Sequence, residues 1–280
     1  MSSERRIQGR LLLLLGCLAI AGLSLFPTLW MIATSLKPER LIPTWPPKWY
    51  AGVLTVANYV AVFTKYPFLF WLRNSVVVSL ASTLLTIFLG SLAGYAFARF
   101  RFRGKNLLFM LAIATIIIPQ EITIIPLYIS MTRLHVANTY ISLILPILAN
   151  PVSIFLFKQF FDGFPLELEE AALIDGHGRF NIYAQLVMPL STAVIMAVAI
   201  LTFTAAWNDM LWPIIITSDI KAATLPVGVV QHFEMFQGAK VVKYGEQSAV
   251  SILCLVPTVI VFVVLQKYFI QGIARTGLKG

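Results

Sequence analysis

The sequence predicts an all-helical integral membrane protein with six spanning helices, and its composition and its long apolar runs carry that prediction. Hydrophobic residues make up 59% of the 280 residues and charged residues only 12%, whereas soluble domains have about 45–50% and about 25%. A helix needs about 20 apolar residues to cross a bilayer. We therefore expect one transmembrane domain over residues 1–280. The net charge of +9 is attributed to basic cytoplasmic loops and not to nucleic-acid binding.

The apolar runs also predict the order of the segments. The six spans are expected near residues 11–35, 70–97, 107–130, 140–160, 188–217 and 249–269. External segments are expected at 37–69, 131–139 and 218–248, and a cytoplasmic loop is expected at 161–187.

The first span follows a basic amino terminus and runs from Leu11 to Ser35. A signal peptide also begins with basic residues, but its apolar core is only about 7–15 residues long. The longer run predicts an uncleaved helix. The next segment, 37–69, is rich in proline and aromatic residues, which disfavours a long helix and is typical of a membrane interface.

The second span contains Gly90 and Gly94 in a G-x-x-x-G spacing, which allows helices in lipid to pack closely, although ordinary membrane glycines explain it equally well. Basic residues crowd just after this span, at Arg99, Arg101, Arg103 and Lys105. Lys and Arg concentrate in cytoplasmic loops. This loop and the basic amino terminus are separated by two spans, so both are placed in the cytoplasm. Six spans then place both termini there.

The third span is interrupted by Pro119 and Pro126 and carries Gln120 and Glu121 near mid-depth. Ionisable groups inside a membrane usually face a water-filled cavity or a polar partner. Gln120 and Glu121 are therefore candidates for the solute path, and an equally good alternative places Glu121 nearer the external end of the span. The fourth span then returns the chain to the cytoplasm.

The segment from Glu167 to Pro189 is the predicted cytoplasmic loop, and its pattern is helix, turn, helix. Acidic residues favour a helix amino terminus, and glycines at 176 and 178 predict the end of the first helix. A second helix lying along the membrane is expected, with one apolar face made of Phe180, Ile182, Tyr183, Leu186 and Val187. The alternative is a solvated connecting loop.

The same segment resembles the cytoplasmic coupling motif of ABC importer permeases, written E-A-A-x-x-x-G with a downstream proline. The matching residues are Glu170, Ala171, Ala172, Asp175, Gly176 and Pro189. The sequence departs mildly from the family pattern I-x-L-P just before the proline. The resemblance implies that this helix docks in a groove on an ATPase subunit. Small alanines permit close approach, and a glutamate offers a charge-assisted contact.

The end of the fifth span combines aromatic rings with polar side chains, at Trp207, Asn208, Asp209 and Trp212. Sugar sites use rings that stack on C–H faces and polar groups that take hydroxyls. The cluster also resembles the W-N-x-x-L-W-P sequence of carbohydrate permeases. The competing interpretation is structural, with the rings as interface anchors and Asn208 as a helix–helix hydrogen bond.

The external segment 218–248, with His232, Lys240 and Lys243, is expected to meet a solute-delivery protein. No cofactor, metal site or catalytic centre is expected. The three histidines lack an i, i+4 partner, and no G-x-x-x-x-G-K-[ST] sequence is present to bind ATP phosphates. The energy source is therefore expected to be another polypeptide. The tail Gly277–Gly280 resembles one that reaches the ATPase subunits in relatives.

Taken together, the chain is identified as resembling a type I ABC importer permease of the maltose, oligosaccharide and glycerol-3-phosphate branch. The resemblance implies a second homologous permease, two ATP-binding subunits, an extracytoplasmic solute-binding protein and a sugar substrate, in a bacterial or archaeal cytoplasmic membrane. The alternative is a proton- or ion-coupled carrier that uses Glu121 or Asp209. Such a carrier is expected to show repeated halves with matching broken helices, and we find no convincing repeat.

Overall fold

The computed structural model describes residues 3–236 and 243–276, with side chains for 9–231 and 243–267, and over these ranges every regular element is helical. The α-helices are, in chain order, α1 (Ser3–Ser35), α2 (Ala57–Lys65), α3 (Phe68–Arg99), α4 (Lys105–Ala114), α5 (Gln120–Arg133), α6 (Tyr140–Leu148), α7 (Pro151–Asp162), α8 (Leu166–Ile174), α9 (Arg179–Asn181), α10 (Met188–Leu190), α11 (Thr192–Asn208), α12 (Leu211–Ile216), α13 (Leu225–Phe236) and α14 (Tyr244–Thr276). A π-helical turn, Ile182–Val187, joins α9 to α10.

Three single helices are long and apolar enough to cross a membrane: α1 from Gly9, α3, and α14 as far as Lys267. Three further pairs pass the same test together but are bent, by 102° between α4 and α5, by 44° between α6 and α7, and by 77° between the Arg179–Leu190 segment and α11. If each bent pair is one span, the described chain crosses a membrane six times. The predicted boundaries of the individual spans stay a prediction.

The prolines act differently from one helix to another. Pro119 lies at the bend between α4 and α5, as the sequence predicts. Pro126, however, lies inside α5 without ending it, so the expected second interruption of the third span is wrong. A proline is tolerated within a membrane helix when neighbouring groups satisfy the freed backbone.

The chain folds as two compact units, the first made of Met1–Phe68 with Val229–Val256 and the second of Leu69–Gly228 with Pro257–Gly280. In the first unit, the amide of Asn58 donates to the carbonyls of Ser35 and Lys37, both at 2.8 Å. Glu246, at the start of α14, accepts from Lys65 at 3.0 Å. These contacts hold the proline-rich segment to the ends of the long helices. The prediction of a single domain stays a prediction.

The core of the second unit forms where α3, α7, the π turn and α11 meet. It contains Tyr95, Phe157, Phe161, Phe164, Ile182, Tyr183, Val187, Val194 and Val198. Gly90 and Gly94 let α3 approach α7 closely. A Cβ at Gly90 would lie 2.4 Å from the Oγ of Ser153, and a Cβ at Gly94 would lie 2.6 Å from the Cβ of Phe157. The close-packing interpretation of the G-x-x-x-G spacing is therefore confirmed.

A second apolar cluster joins α3, α5, α6 and α12, with Val78, Met131, Leu143, Trp212 and Ile216 buried in it. It lies on the same unit as the core described above. The first cluster includes residues of the 167–189 loop, and the second includes Trp212 of the Trp207–Trp212 segment.

Candidate functional site

Helix α8 carries the predicted coupling motif and ends in a tight, glycine-dependent turn. Gly176 has φ +84°, in the left-handed region that residues with a Cβ avoid. Its N–H donates to the carbonyl of Leu173 at 3.1 Å, and the N–H of His177 donates to the carbonyl of Ala172 at 3.0 Å. This pair of hydrogen bonds is a Schellman motif, which satisfies carbonyls left free at a helix end. The glycine is needed for its backbone conformation.

The surface around this turn is open. Glu170, Ala171 and Asp175 are exposed. Ile174 and Phe180 beside them are 87% and 66% exposed. Charged groups next to exposed apolar side chains are what a protein-docking surface offers.

Two residues of the predicted loop differ from expectation. Phe180 does not join the buried face of the second helix, because it lies in the first turn after Gly178, where the chain is still exposed. Ala172 is half-buried and packs against the core of its own chain. Ile182, Tyr183 and Val187, three of the five residues predicted to form one apolar face, are buried in the π turn.

The second helix of the loop bends into the membrane helix that follows. The wide π turn precedes Pro189, which is exposed at the start of α10, and the 77° bend comes at Ser191. Prolines and π turns are the usual causes of sharp bends, since a proline cannot donate to the helical ladder. Ser191 caps the break by donating its hydroxyl to the carbonyl of Val187 at 2.6 Å.

A buried ion pair, which was not predicted from the sequence, fixes α8 from the inside. Glu169 is 6% exposed and accepts from Nε of Arg99 at 2.7 Å and from the hydroxyl of Tyr95 at 2.9 Å. Arg99 also donates through Nη2 to the carbonyl of Phe164 at 2.7 Å. From sequence, Arg99 indicated only topology and Glu169 only a helix start. The sequence feature that could have pointed to a polar contact for α3 is the spacing of Tyr95 and Arg99, two polar groups four residues apart on one helix face.

The predicted aromatic pair of the solute path is buried. Trp207 is 1% exposed and stacks on Phe203, with ring centroids 5.6 Å apart. Trp212 is 7% exposed, and its indole N–H donates to the carbonyl of Ser142 at 2.8 Å. In this chain both rings make packing contacts.

The two polar residues of the same segment, Asn208 and Asp209, are less buried than the two tryptophans. Asn208 is exposed, and its amide donates to the carbonyl of Thr204 in its own helix at 2.9 Å. Asp209 is half-buried and accepts from the backbone N–H of Trp212 at 3.4 Å. Asn208 is therefore the member of the segment that is most available to a solute.

Gln120 and Glu121 form the first turn of α5, directly after the 102° bend at Pro119. Both side chains are exposed. Among the residues that the structure describes, no group of three His, Cys, Asp or Glu side chains is arranged to hold a metal ion. The tail Gly277–Gly280, Lys240 and the side chain of His232 lie outside the described part.

Comparison with known proteins decides the family. Residues 86–275 match the family described as "Binding-protein-dependent transport system inner membrane component". This chain belongs to that family. It is 34% identical to the arabinooligosaccharides transport system permease protein AraQ of Halalkalibacterium halodurans, over 96% of both chains. It is 32% identical to the trehalose/maltose transport system permease protein MalG of Thermococcus litoralis, over 97% of both.

Solved structures give the same fold. A chain from a crystal structure titled as a bacterial ABC transporter involved in the import of the acidic polysaccharide alginate superposes with a TM-score of 0.83. The match covers 96% of this chain and 99% of the other at 21% sequence identity, so it shows the type I permease fold.

These findings confirm the predicted family, helical membrane fold and inner-membrane location, and they favour an importer permease over the secondary carrier. The chain is a permease subunit of an ABC importer, and ATP hydrolysis belongs to partner subunits. An importer of this family includes a partner permease, ATPase subunits and a binding protein.

Proposed function

We propose that this chain forms, with a second homologous permease, the translocation path for a sugar or oligosaccharide, and that its 167–189 loop couples this path to two ATPase subunits. The geometry of that loop is the observation that carries the proposal. The Schellman turn at Gly176 ends α8 abruptly, and it leaves Glu170 and Ala171 exposed beside apolar Ile174. A short helix presented in this way fits a groove on a partner.

The charge pattern supports an orientation with both termini and the 167–189 loop in the cytoplasm. The basic loop at 99–105 and α8 come together through the Arg99–Glu169 pair, so both lie on the same side of the membrane. Lys and Arg in short loops mark the cytoplasmic side. The 218–248 segment is then external, where a solute-binding protein would meet it.

The relatives and the candidate path residues favour a sugar. The relatives include permease proteins named for the transport of arabinooligosaccharides, trehalose/maltose and sn-glycerol-3-phosphate. A phosphate ester would require cationic side chains. The candidate path residues are Gln120, Glu121, Trp207, Asn208, Asp209 and Trp212. None of them is a Lys or an Arg. An uncharged sugar or oligosaccharide therefore fits this set better than a glycerol phosphate.

The test is uptake of radiolabelled arabinooligosaccharides, maltose and sn-glycerol-3-phosphate into vesicles that hold the complete complex and its binding protein. Uptake of one of the sugars is expected, and only when ATP is present on the ATPase side. Sugar uptake that needs no ATP would contradict the proposal. Uptake of sn-glycerol-3-phosphate alone would contradict the solute class.

The loop is tested by a matched pair of glycine variants. Gly176→Ala forces a side chain into the left-handed region at a cost of about 1–2 kcal/mol, a roughly fivefold to thirtyfold change in the population of the docking turn. ATP-driven uptake is expected to fall by a similar factor. Gly163→Ala is the control, because Gly163 has φ −86° and ordinary space for a Cβ.

Membrane insertion is expected to be normal in both variants, as judged by the amount of chain in the membrane fraction. Equal uptake by Gly176→Ala and Gly163→Ala would remove the turn from the coupling mechanism. Glu170→Lys reverses the charge offered to the ATPase, and it is expected to abolish uptake without affecting insertion.

A further inference from the structure

The 167–189 loop is attached to α3 at three successive turns of that helix. Ser91, Tyr95 and Arg99 are spaced by four residues, so they lie on one face of α3. The hydroxyls of Ser91 and Tyr183 are 2.7 Å apart, which joins α3 to the π turn. Tyr95 and Arg99 both donate to Glu169 of α8.

The attachment of α8 to α3 is ionic. Glu169 is the only fully buried residue of α8. Half-buried Ala172 is its apolar contact with the core, whereas Leu166 and Leu168 are 53% and 44% exposed. The position of α8 therefore depends on one carboxylate more than on hydrophobic packing.

The pair has a fixed geometry. The side chains of Arg99 and Glu169 are both 8% exposed, so solvent screens their attraction little. The planar guanidinium uses Nε for the carboxylate and Nη2 for the carbonyl of Phe164, the residue two positions before α8 begins. One arginine thus holds both the first turn of α8 and the chain that enters it.

We propose that Arg99 and Glu169, with Tyr95, form the joint through which the coupling helix α8 follows the movement of α3. This inference rests on the proposed function of the loop. Arg99 and Glu169 are positioning residues, because they act on a partner through α8. A buried ion pair with several hydrogen bonds is directional, and breaking one side leaves an uncompensated charge. A displaced end of α3 would therefore carry α8 with it.

The experiment uses the complete complex in vesicles and compares three variants with the parent. Glu169→Gln removes the charge and keeps the shape. The double variant Arg99→Met with Glu169→Leu removes both charges and fills the space with apolar side chains, which proteins often tolerate without loss of stability. Asp162→Asn is the matched control, because it breaks the exposed Lys158–Asp162 pair on α7 in the same unit.

The quantity measured is the amount of solute imported per ATP hydrolysed, together with co-purification of the ATPase subunits. Glu169→Gln and the double variant are expected to keep the ATPase subunits and to hydrolyse ATP. Their import per ATP is expected to fall by about fivefold or more, the range of allosteric coupling. Asp162→Asn is expected to match the parent.

Several outcomes would overturn the joint. Parent-like import per ATP in Glu169→Gln would show that the charge does not matter. Parent-like import per ATP in the double variant would show that two buried apolar side chains couple α8 to α3 as well as the ion pair does. Failure of both variants to assemble would assign the pair to folding instead of coupling. Absence of ATP-driven import in the parent would count against the proposed function itself and is seen without any variant.

Discussion

At the scale of single residues, the segment 207–212 combines buried tryptophans with an exposed polar side chain, Asn208. Trp207 and Trp212 bury large rings against Phe203 and the carbonyl of Ser142. A buried tryptophan contributes mostly through packing. Asn208, one position away from Trp207, is exposed, and its amide donates to the carbonyl of Thr204 in its own helix. The rings thus hold the segment in place, and Asn208 is the residue to test for solute contact.

Alanine variants of Trp207 and Asn208 are expected to change different properties, the first the stability of the chain and the second the uptake of solute. Trp207→Ala creates a cavity and is expected to destabilise the chain by about 3–5 kcal/mol. Asn208→Ala changes an exposed site and is expected to shift stability by no more than about 0.5 kcal/mol. If Asn208 lines the path, its variant raises the solute concentration needed for half-maximal uptake. Thermal unfolding of the detergent-solubilised complex and an uptake curve measure both effects.

An unchanged uptake curve for Asn208→Ala would assign the whole segment to packing. Trp212→Phe serves as a control, since it keeps an aromatic ring while losing the hydrogen bond to the carbonyl of Ser142 and part of the buried ring volume. Its expected cost is about 1–3 kcal/mol.

Residue identity predicted the coupling motif of α8 but not the contacts that hold α8 against α3. Three acidic residues, Glu167, Glu169 and Glu170, open α8, and the sequence offers no way to choose among them. Which one faces α3 depends on the angle at which the two helices meet, and that angle follows from packing. The structure buries Glu169 and exposes Glu170, the residue of the motif itself.

At the scale of helices, bends and close approaches shape the second unit. The break at Pro119 was predictable, because proline removes a backbone donor. The bend at Ser191 follows Pro189 in the same way, but the π turn that precedes both residues was not predictable, since it leaves no mark in the sequence pattern. Prolines at 27, 126, 146 and 257 lie inside helices. Whether a proline ends a membrane helix depends on neighbours that satisfy the freed carbonyl.

The close approach of α3 and α7 gives an element-scale prediction. Gly94→Ala would place a Cβ 2.6 Å from the Cβ of Phe157 and 2.9 Å from the backbone nitrogen of Lys158, so the two helices must separate. Overpacking of this kind costs about 1–3 kcal/mol. We expect a lower midpoint of thermal unfolding for the complex in detergent.

Gly22→Ala in α1 is the matched control, since no atom of the residues that the structure describes lies within 4 Å of the added Cβ. Alanine is the better helix former, so this variant is expected to be neutral or slightly stabilising. Equal midpoints for the two variants would show that α3 and α7 do not pack closely at Gly94.

At the scale of the whole molecule, the chain is one permease subunit of an ABC importer in which ATP hydrolysis belongs to partner subunits. Its family places it in an importer with a partner permease, ATPase subunits and a binding protein. Composition and motif order were enough to predict this class, because they depend on residue identity along the chain. The partner surfaces were not predictable, since they depend on chains that this sequence does not contain.

Thermodynamic linkage gives the last prediction. If the loop transmits a change of state between the external face and the ATPases, the loaded binding protein and ATP must each favour the same arrangement of the complex. A ligand shifts such an equilibrium only by its different affinities for the two states, and the coupling is reciprocal for binding free energies. A non-hydrolysable ATP analogue is therefore expected to change the affinity for the loaded binding protein by about 5–150-fold. The loaded binding protein is expected to change the affinity for the analogue by the same factor.

Titrations in both directions measure the two factors, and Gly176→Ala is expected to bring both toward one while Gly163→Ala leaves them unchanged. Affinities that stay independent in the parent complex would mean that no coupling passes through this loop.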